Sequence, residues 1–185
     1  MASKQTICLC TPQRYAPDWE QQRQRYQRAC EARGFALLEP ACAGQRVEDD
    51  FRVWMETVQH CDILVGDMNN FRGWEPDSGA CFVLGAGYVW GKKIYLYLDD
   101  LRSCAEKFTE EKYQDEPGEQ IDITAPENQN KGTVSKGWRD KEGIVLENGP
   151  LNLMMSAHAP MVEGGFEEAL ERIQQDEEGG AHRCL

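Results

Sequence analysis

The predicted architecture depends on the stretch Phe71-Arg72-Gly73-Trp74-Glu75-Pro76-Asp77-Ser78-Gly79-Ala80-Cys81-Phe82-Val83-Leu84-Gly85. An apolar run with an aspartate near its end, residues 62–68, comes directly before it. The stretch itself begins with a polar, glycine-containing turn and continues into small and apolar residues without a β-branched cluster. This order is typical of a strand, a ligand-facing loop and the first turns of a helix.

The turn in this stretch has the features of a ligand site. Ser78 is predicted to be the N-cap of the helix, because its hydroxyl can accept a hydrogen bond from an amide two or three residues on. The first amides of a helix suit an anionic or polar ligand, and Gly79 permits a close approach. Asp67 and Asp77 are expected to flank one crevice beyond the carboxyl end of a strand, where open α/β sheets bind ligands.

Strand and helix patterns alternate along the rest of the chain. Strands are predicted at 6–10, 35–39, 62–65, 93–98 and 161–162, and helices at 18–33, 48–60, 78–90 and from 166, with a helix start at 151–157. This alternation implies right-handed βαβ units and a parallel sheet. We therefore predict one α/β domain over residues 1–185, doubly wound and flavodoxin-like, with a parallel sheet flanked by helices.

Two segments depart from this pattern. Residues 106–143 are mostly charged and polar with little apolar periodicity. They are predicted to form a surface insert, which is either a mobile loop region or a lid or oligomer arm. Residues 144–146 favour a short strand, and residues 176–185 are predicted to form a frayed tail.

The composition disfavours several classes of function. Hydrophobic residues make up 41% of the chain and charged residues 28%, as in soluble globular proteins. No apolar run approaches the ~20 residues of a membrane span, and the N-terminal residues lack the apolar core of a signal peptide. We expect a cytoplasmic protein. The formal net charge of −12 disfavours nucleic acid as a partner, because phosphates bind Lys and Arg, but it permits a small nucleoside.

Neither a metal nor a cofactor is predicted. The eight cysteines most simply serve as small buried hydrophobic side chains. Cys8 and Cys10 form a C-x-C pair, but no second pair follows at a spacing typical of zinc sites. The three histidines are scattered and have no evident acid–base partner.

The stretch at 71–85 resembles the signature of the nucleoside 2-deoxyribosyltransferase family. That signature reads F-R-G, E-P-D, a small residue, G-T-A-F-E, an aliphatic residue and Gly. A second, weaker match is Asn152-Leu153-Met154, after Gly149-Pro150-Leu151. The resemblance covers about residues 6–173 apart from a long unmatched insert. It implies a flavodoxin-like fold and exchange of the base on 2′-deoxynucleosides, with the deoxyribosyl group held covalently on a glutamate.

The resemblance assigns roles that compete with simpler structural ones. Asp77 matches the family aspartate that binds the sugar and assists proton transfer, but a carboxylate at a helix start is common without a ligand. Asp67 matches an aspartate of the strand-end loop, or it caps its own turn. Asn152 resembles the asparagine that binds sugar hydroxyls in a neighbouring subunit's site, or it is an N-cap. The first reading of Asn152 requires a homodimer or a higher homo-oligomer.

The loop above the expected pocket adds candidate contacts. Phe71, Arg72 and Gly73 shape this loop, and Arg72 either contacts a base or phosphate or is simply solvated. Phe71, Trp54 and Trp74 can stack on a base, or they belong to the core or an interface.

Two departures from the family pattern concern one catalytic unit. Val83 occupies the position of the nucleophilic glutamate, and a valine has no lone pair, charge or proton to give. Cys8 occupies the position of the tyrosine that orients this nucleophile. An engineered inactive variant would carry Val83 but keep the tyrosine at position 8. Changes at both positions therefore favour natural divergence.

The sequence leaves three functional hypotheses open. The first is an enzyme of N-glycosidic bonds, impaired or inactive in base exchange, with slow hydrolysis through Asp77 or Asp67 as general base. The second is a non-catalytic protein that binds a nucleoside or nucleotide. The third is a structural or assembly role with a vestigial pocket.

Overall fold

The computed structural model describes residues 4–42, 46–73, 75–108, 119–121, 137–139, 145–146 and 149–179. These residues belong to two compact units, one formed by Met1–Asp99 with His158–Leu185 and the other by Asp100–Ala157. The prediction of one domain over the whole chain stays a prediction. None of the described helices has the length and apolar character needed to cross a membrane.

The described elements alternate as predicted. In chain order they are β1 (Thr6–Cys10), a 3₁₀ turn (Pro12–Tyr15), α1 (Trp19–Ala32), β2 (Ala36–Leu37), α2 (Val47–His60), β3 (Ile63–Asp67), α3 (Ser78–Val89), β4 (Lys93–Leu98), α4 (Cys104–Phe108), β5 (Glu119–Ile121), β6 (Gly137–Arg139), β7 (Val145–Leu146), α5 (Leu153–Ser156), β8 (Met161–Glu163) and α6 (Phe166–Gly179). The strands predicted at 6–10 and 93–98 are confirmed in both bounds.

The larger unit is built on a five-stranded sheet in the order β2-β1-β3-β4-β8. Every neighbouring pair of strands is parallel. Counted along the chain within this sheet alone, the order is 2-1-3-4-5, which is the flavodoxin-like arrangement. The predicted α/β fold, a parallel sheet flanked by helices, is confirmed.

The two faces of the sheet bury different side chains, because successive residues of a strand point to opposite faces. Ile7 and Leu9 of β1 join a buried cluster with residues of α1, β3, β4 and α6, including Leu170. Cys8 and Cys10 alternate with them on β1 and face the other side of the sheet. On that side α3 packs against β1, β3 and β4.

The final helix is longer than the sequence indicates. Residues 176–179 are helical, which corrects the predicted start of the frayed tail, while residues 180–185 lie outside the described part of the chain. Contacts with the sheet explain the extension. The Tyr95 hydroxyl donates to the Asp176 carboxylate at 3.1 Å, and Lys93 forms an ion pair with Glu177.

The smaller unit contains part of the predicted polar insert. Strands β5, β6 and β7 form an antiparallel three-stranded sheet. The short strand predicted at 144–146 is confirmed as β7, whereas β5 and β6 were not predicted because their short, polar sequences show no clear alternation. Residues 109–118, 122–136 and 140–144 of this region lie outside the described ranges.

Two glycines of α3 have different surroundings. A Cβ atom on Gly87 would overlap the Cδ1 methyl of Leu64, a fully buried residue of β3. A Cβ atom on Gly85 would meet nothing within 4 Å. Gly87 therefore allows α3 to approach the sheet closely, as the glycine content of this helix indicates, whereas Gly85 makes no such contact in this chain.

We expect alanine at these two positions to change stability in opposite directions. Gly87→Ala should lower the free energy of unfolding by about 1–3 kcal/mol, because the added methyl overpacks the core. Gly85→Ala should raise the free energy of unfolding by about 1 kcal/mol, since alanine is more favourable than glycine in an exposed helix interior. Urea denaturation of both variants measures the difference. A neutral Gly87→Ala would show that α3 does not depend on this close approach.

Candidate functional site

A cavity of about 190 Å³ lies between α2, α3 and the turn that follows β1. We call it the α2–α3 cavity. Its aromatic lining consists of Tyr15, Phe51, Trp54 and Phe82. The rings of Phe51 and Phe82 are 6.0 Å apart between centroids, at an angle of 49°. The cavity can therefore place flat aromatic surface against a planar ligand.

Val83 and Asp77, the two residues predicted to be catalytic positions, both line this cavity. Val83 lies on α3 and is 8% exposed, so its side chain closes the wall with methyl groups. Asp77 directly precedes α3 and is partly buried. Among the described lining residues, Asp77 is the one carboxylate.

Asp77, not Ser78, is the N-cap of α3. Its backbone is extended, at φ −60° and ψ 121°, and its Oδ2 accepts a hydrogen bond from the Ala80 amide at 2.9 Å. The prediction for Ser78 is wrong because Ser78 already has the first helical position. A Cβ atom on Gly79 would lie 3.0 Å from the Asp77 Oδ2, so the glycine leaves room for this carboxylate. Asp77 thus caps the helix and faces the cavity at once.

Asp67 is buried and bonded within the protein. It is 3% exposed, and its Oδ2 accepts from the Thr11 hydroxyl at 2.8 Å. Its Oδ1 accepts from the amide and the side-chain nitrogen of Asn69, at 3.2 and 2.9 Å. Burial and the neighbouring Asp67 carboxylate raise the pKa of Tyr97 well above its ordinary value. Asp67 thus caps its own turn, which is one of the two roles predicted for it.

The structure does not bring Asp67 and Asp77 into the crevice that the sequence predicted for both. Asp67 lines a second, polar cavity of about 600 Å³ together with Tyr97 and Asp99. Asp77 lines the α2–α3 cavity. The two carboxylates are linked only indirectly, since Thr11 lines the α2–α3 cavity and donates to Asp67.

Sequence reasoning missed Arg14 and Tyr15, which line the α2–α3 cavity. Both lie in the 3₁₀ turn after β1, where the Thr11 hydroxyl accepts from the Gln13 amide at 3.1 Å. The guanidinium carbon of Arg14 lies 4.4 Å from the centroid of the Trp54 ring. The available signal was position, because ligands bind beyond the carboxyl ends of strands.

Cys8 does not reach the cavity. It is completely buried, and the pKa of its thiol is raised by a hydrogen bond with Cys10 and by burial. Cys10, two residues on, does line the cavity. None of the cysteines within the described ranges forms a disulfide bond. A thiol held neutral at Cys8 serves as the small buried side chain that the sequence indicated.

The loop that carries Phe71, Arg72 and Gly73 is partly described. Arg72 adopts the left-handed region at φ 55°, and its guanidinium carbon lies 4.8 Å from the centroid of the Phe71 ring. Phe71, Arg72 and Gly73 do not line the α2–α3 cavity. Trp74 lies outside the described residues. Of the three predicted stacking residues, Trp54 faces the cavity and Phe71 contacts Arg72.

In the smaller unit, Asn152 is the N-cap of α5. Its side chain accepts a hydrogen bond from the Met155 amide at 3.2 Å, and the residue is exposed. The capping role is thus present, and the predicted role in another subunit's site stays a prediction. Among the described residues, no group of His, Cys, Asp or Glu is arranged to hold a metal ion.

Three solved structures are similar to this chain, and one of them matches its fold over most of the chain. A 2-desoxiribosyltransferase from Leishmania mexicana superimposes with a TM-score of 0.69 at 22% identity, over 92% of this chain and 97% of that one. A 2-deoxyribosyltransferase from Bacillus psychrosaccharolyticus gives 0.39 at 20% identity, over 50% and 71%. A CMP N-glycosidase from Clostridium botulinum gives 0.38 at 18% identity, over 51% and 71%. No curated protein matches by sequence.

The family assignment comes from the sequence model. The model described as nucleoside 2-deoxyribosyltransferase matches residues 7–154, which is most of the chain. The matched range contains Asp77, Val83 and Asn152, so it includes the stretches on which the resemblance was first based. The chain belongs to the nucleoside 2-deoxyribosyltransferase family.

Proposed function

We propose that this protein binds a nucleoside or nucleotide in the α2–α3 cavity and that its base-exchange activity is impaired or absent. The observation that carries the proposal is that Asp77 and Val83 line one cavity together with aromatic side chains. Val83, which the resemblance assigns to the position of the family nucleophile, presents only methyl groups to this cavity. A covalent glycosyl intermediate needs a nucleophile at that wall, and valine supplies none.

The cavity retains features that suit a nucleoside. Trp54, Phe51 and Phe82 offer ring faces on which a base can stack. Asp77 offers a carboxylate that can accept a hydrogen bond from a sugar hydroxyl, although its Oδ2 is already engaged by the Ala80 amide. Binding of a nucleoside would therefore use the aromatic rings and Asp77 and would not require a nucleophile at position 83.

Slow hydrolysis of an N-glycosidic bond is a second candidate function. Asp77 is the one carboxylate among the described residues that line the cavity, so it is the available general base. The carboxylate would take a proton from a water molecule while the water oxygen bonds to the anomeric carbon. The bond from that carbon to the base breaks as the bond to oxygen forms, and the base leaves with the electron pair and takes up the proton that Asp77 removed from the water.

We further propose that the protein works in the cytoplasm as a homodimer or a higher homo-oligomer. Asn152 is exposed, and Leu153 and Met154 beside it are 64% and 80% exposed. On α3, Phe82 is 58% exposed and Val89 is 81% exposed. Exposed apolar side chains of this size favour contact with another protein surface. Asn152 would then serve the site of a neighbouring subunit, as the resemblance implies.

Substitutions at Asp77 separate its capping role from its role in the cavity. Asp77→Asn should leave the free energy of unfolding nearly unchanged, since asparagine caps as well as aspartate. The same variant should weaken binding of 2′-deoxynucleosides by about tenfold or more, or ~1.4 kcal/mol, and abolish any base release. Asp77→Ala should in addition lose about 1 kcal/mol of stability.

Binding is measured by calorimetric titration, and the free energy of unfolding by urea denaturation. Base release is measured by chromatography. Ser78→Ala is the matched control, and it should change none of them because Ser78 does not cap α3. Full binding by Asp77→Asn would place the ligand elsewhere. Absence of nucleoside binding by the unmodified protein would refute the proposed function itself.

Mixing two defective variants tests whether Asn152 acts in a neighbouring subunit. Asp77→Asn and Asn152→Ala should each bind 2′-deoxynucleosides about tenfold or more weakly than the unmodified protein. In a symmetric dimer, random mixing of subunits should restore about a quarter of the sites, because half the dimers are mixed and each of these has one intact site. Sedimentation equilibrium gives the oligomeric state, and titration counts the sites. A monomer, or a mixture without any recovery, contradicts the proposal.

A further inference from the structure

We propose that Arg14 binds an oxyanion of the ligand, so that the α2–α3 cavity takes a nucleoside monophosphate in preference to an uncharged nucleoside. The inference rests on the proposed function, because it names the ligand class of the same cavity. Arg14 is the one cationic side chain among the described residues that line this cavity.

The position of Arg14 is fixed from two sides. The 3₁₀ turn that carries it begins at Thr11, whose hydroxyl accepts from the Gln13 amide and donates to the buried Asp67. Its guanidinium carbon lies 4.4 Å from the centroid of the Trp54 ring. A guanidinium on a ring face keeps its N–H donors at its edges, where they can form two parallel hydrogen bonds to a phosphate.

Among the residues that the structure describes, no carboxylate forms an ion pair with Arg14. The chain has 32 acidic and 20 basic residues, so carboxylates are abundant. The other partly buried arginines of the described ranges are paired, Arg23 with Glu20 and Glu39 and Arg33 with Glu171. Arg14 has no such ion pair among these residues, and its guanidinium packs on the Trp54 ring instead.

Arg14 and Asp77 line the same cavity without forming an ion pair. A partly buried cation is stabilised when an anion pairs with it. A ligand oxyanion would therefore bind more tightly to Arg14 than to an exposed arginine. Val83 contributes to this preference. A glutamate at that position would add a second negative charge to the cavity wall, and its absence removes a source of repulsion toward a phosphate.

Paired ligands that differ only in the phosphate test the inference. Calorimetry of the full chain compares 2′-deoxycytidine with its 5′-monophosphate and 2′-deoxyadenosine with its 5′-monophosphate. The unmodified protein should bind each monophosphate about tenfold or more tightly than its nucleoside, and the advantage should shrink as sodium chloride is added. Arg14→Gln should bring the ratio to about one, and Arg14→Lys should give an intermediate ratio.

Arg28→Gln is the matched control, because Arg28 is an exposed arginine of α1 that does not line the cavity. It should retain the full ratio. Thermal unfolding of each variant checks that the fold is intact, and the same scans with inorganic phosphate detect the anion site without a nucleoside. The phosphate should stabilise the unmodified protein and not Arg14→Gln.

The outcomes separate this inference from the proposed function. Equal binding of nucleosides and monophosphates, or a ratio that persists in Arg14→Gln, overturns the role of Arg14 while nucleoside binding stands. Stabilisation by inorganic phosphate that depends on Arg14, without binding of any nucleoside or nucleotide, supports the anion site and refutes the nucleoside function. No effect of any of these compounds refutes both.

Discussion

The hydrogen bond between Thr11 and Asp67 holds together the edge of the sheet on which the candidate site is built. Cys10 is paired with Gly66 in the parallel register of β1 and β3. The residues that follow this pair, Thr11 and Asp67, are therefore neighbours. Both side chains are buried, and their oxygens are 2.8 Å apart. A buried carboxylate is costly without donors, and Thr11 and Asn69 supply them. The same Thr11 hydroxyl caps the turn that directs Arg14 into the cavity.

The opposite wall of the cavity depends on how α3 begins. Asp77 caps the helix, Gly79 leaves space for the carboxylate, and Gly87 lets the helix lie close to β3. None of these contacts uses the side chain at position 83. The valine there is compatible with a packed wall, because an apolar residue that is 8% exposed needs no hydrogen-bonding partner. The proposed loss of the nucleophile at this position is therefore compatible with an intact cavity wall.

Local patterns predicted the sheet and most of the helices, because alternation and apolar runs with clear ends are local signals. They could not choose between Ser78 and Asp77 as the N-cap, since both residues cap well and only the backbone angles decide. They gave turn capping as one role of Asp67 but not its bond to Thr11, which joins residues 56 positions apart in the chain. The bond between Tyr95 and Asp176, which holds the end of α6, spans 81 positions. Arg14 was missed for a similar reason, because its cavity forms only when α2 and α3 pack together.

We propose that the family pocket persists in this chain without its nucleophile. Chromatography of base exchange between 2′-deoxynucleosides and a second free base tests it most directly, in the unmodified protein, Val83→Glu and Val83→Gln. The account predicts exchange by Val83→Glu alone, because glutamine has the same size but cannot form the glycosyl ester. Exchange by the unmodified protein at a rate similar to that of Val83→Glu would contradict the account, since another group would then supply the nucleophile.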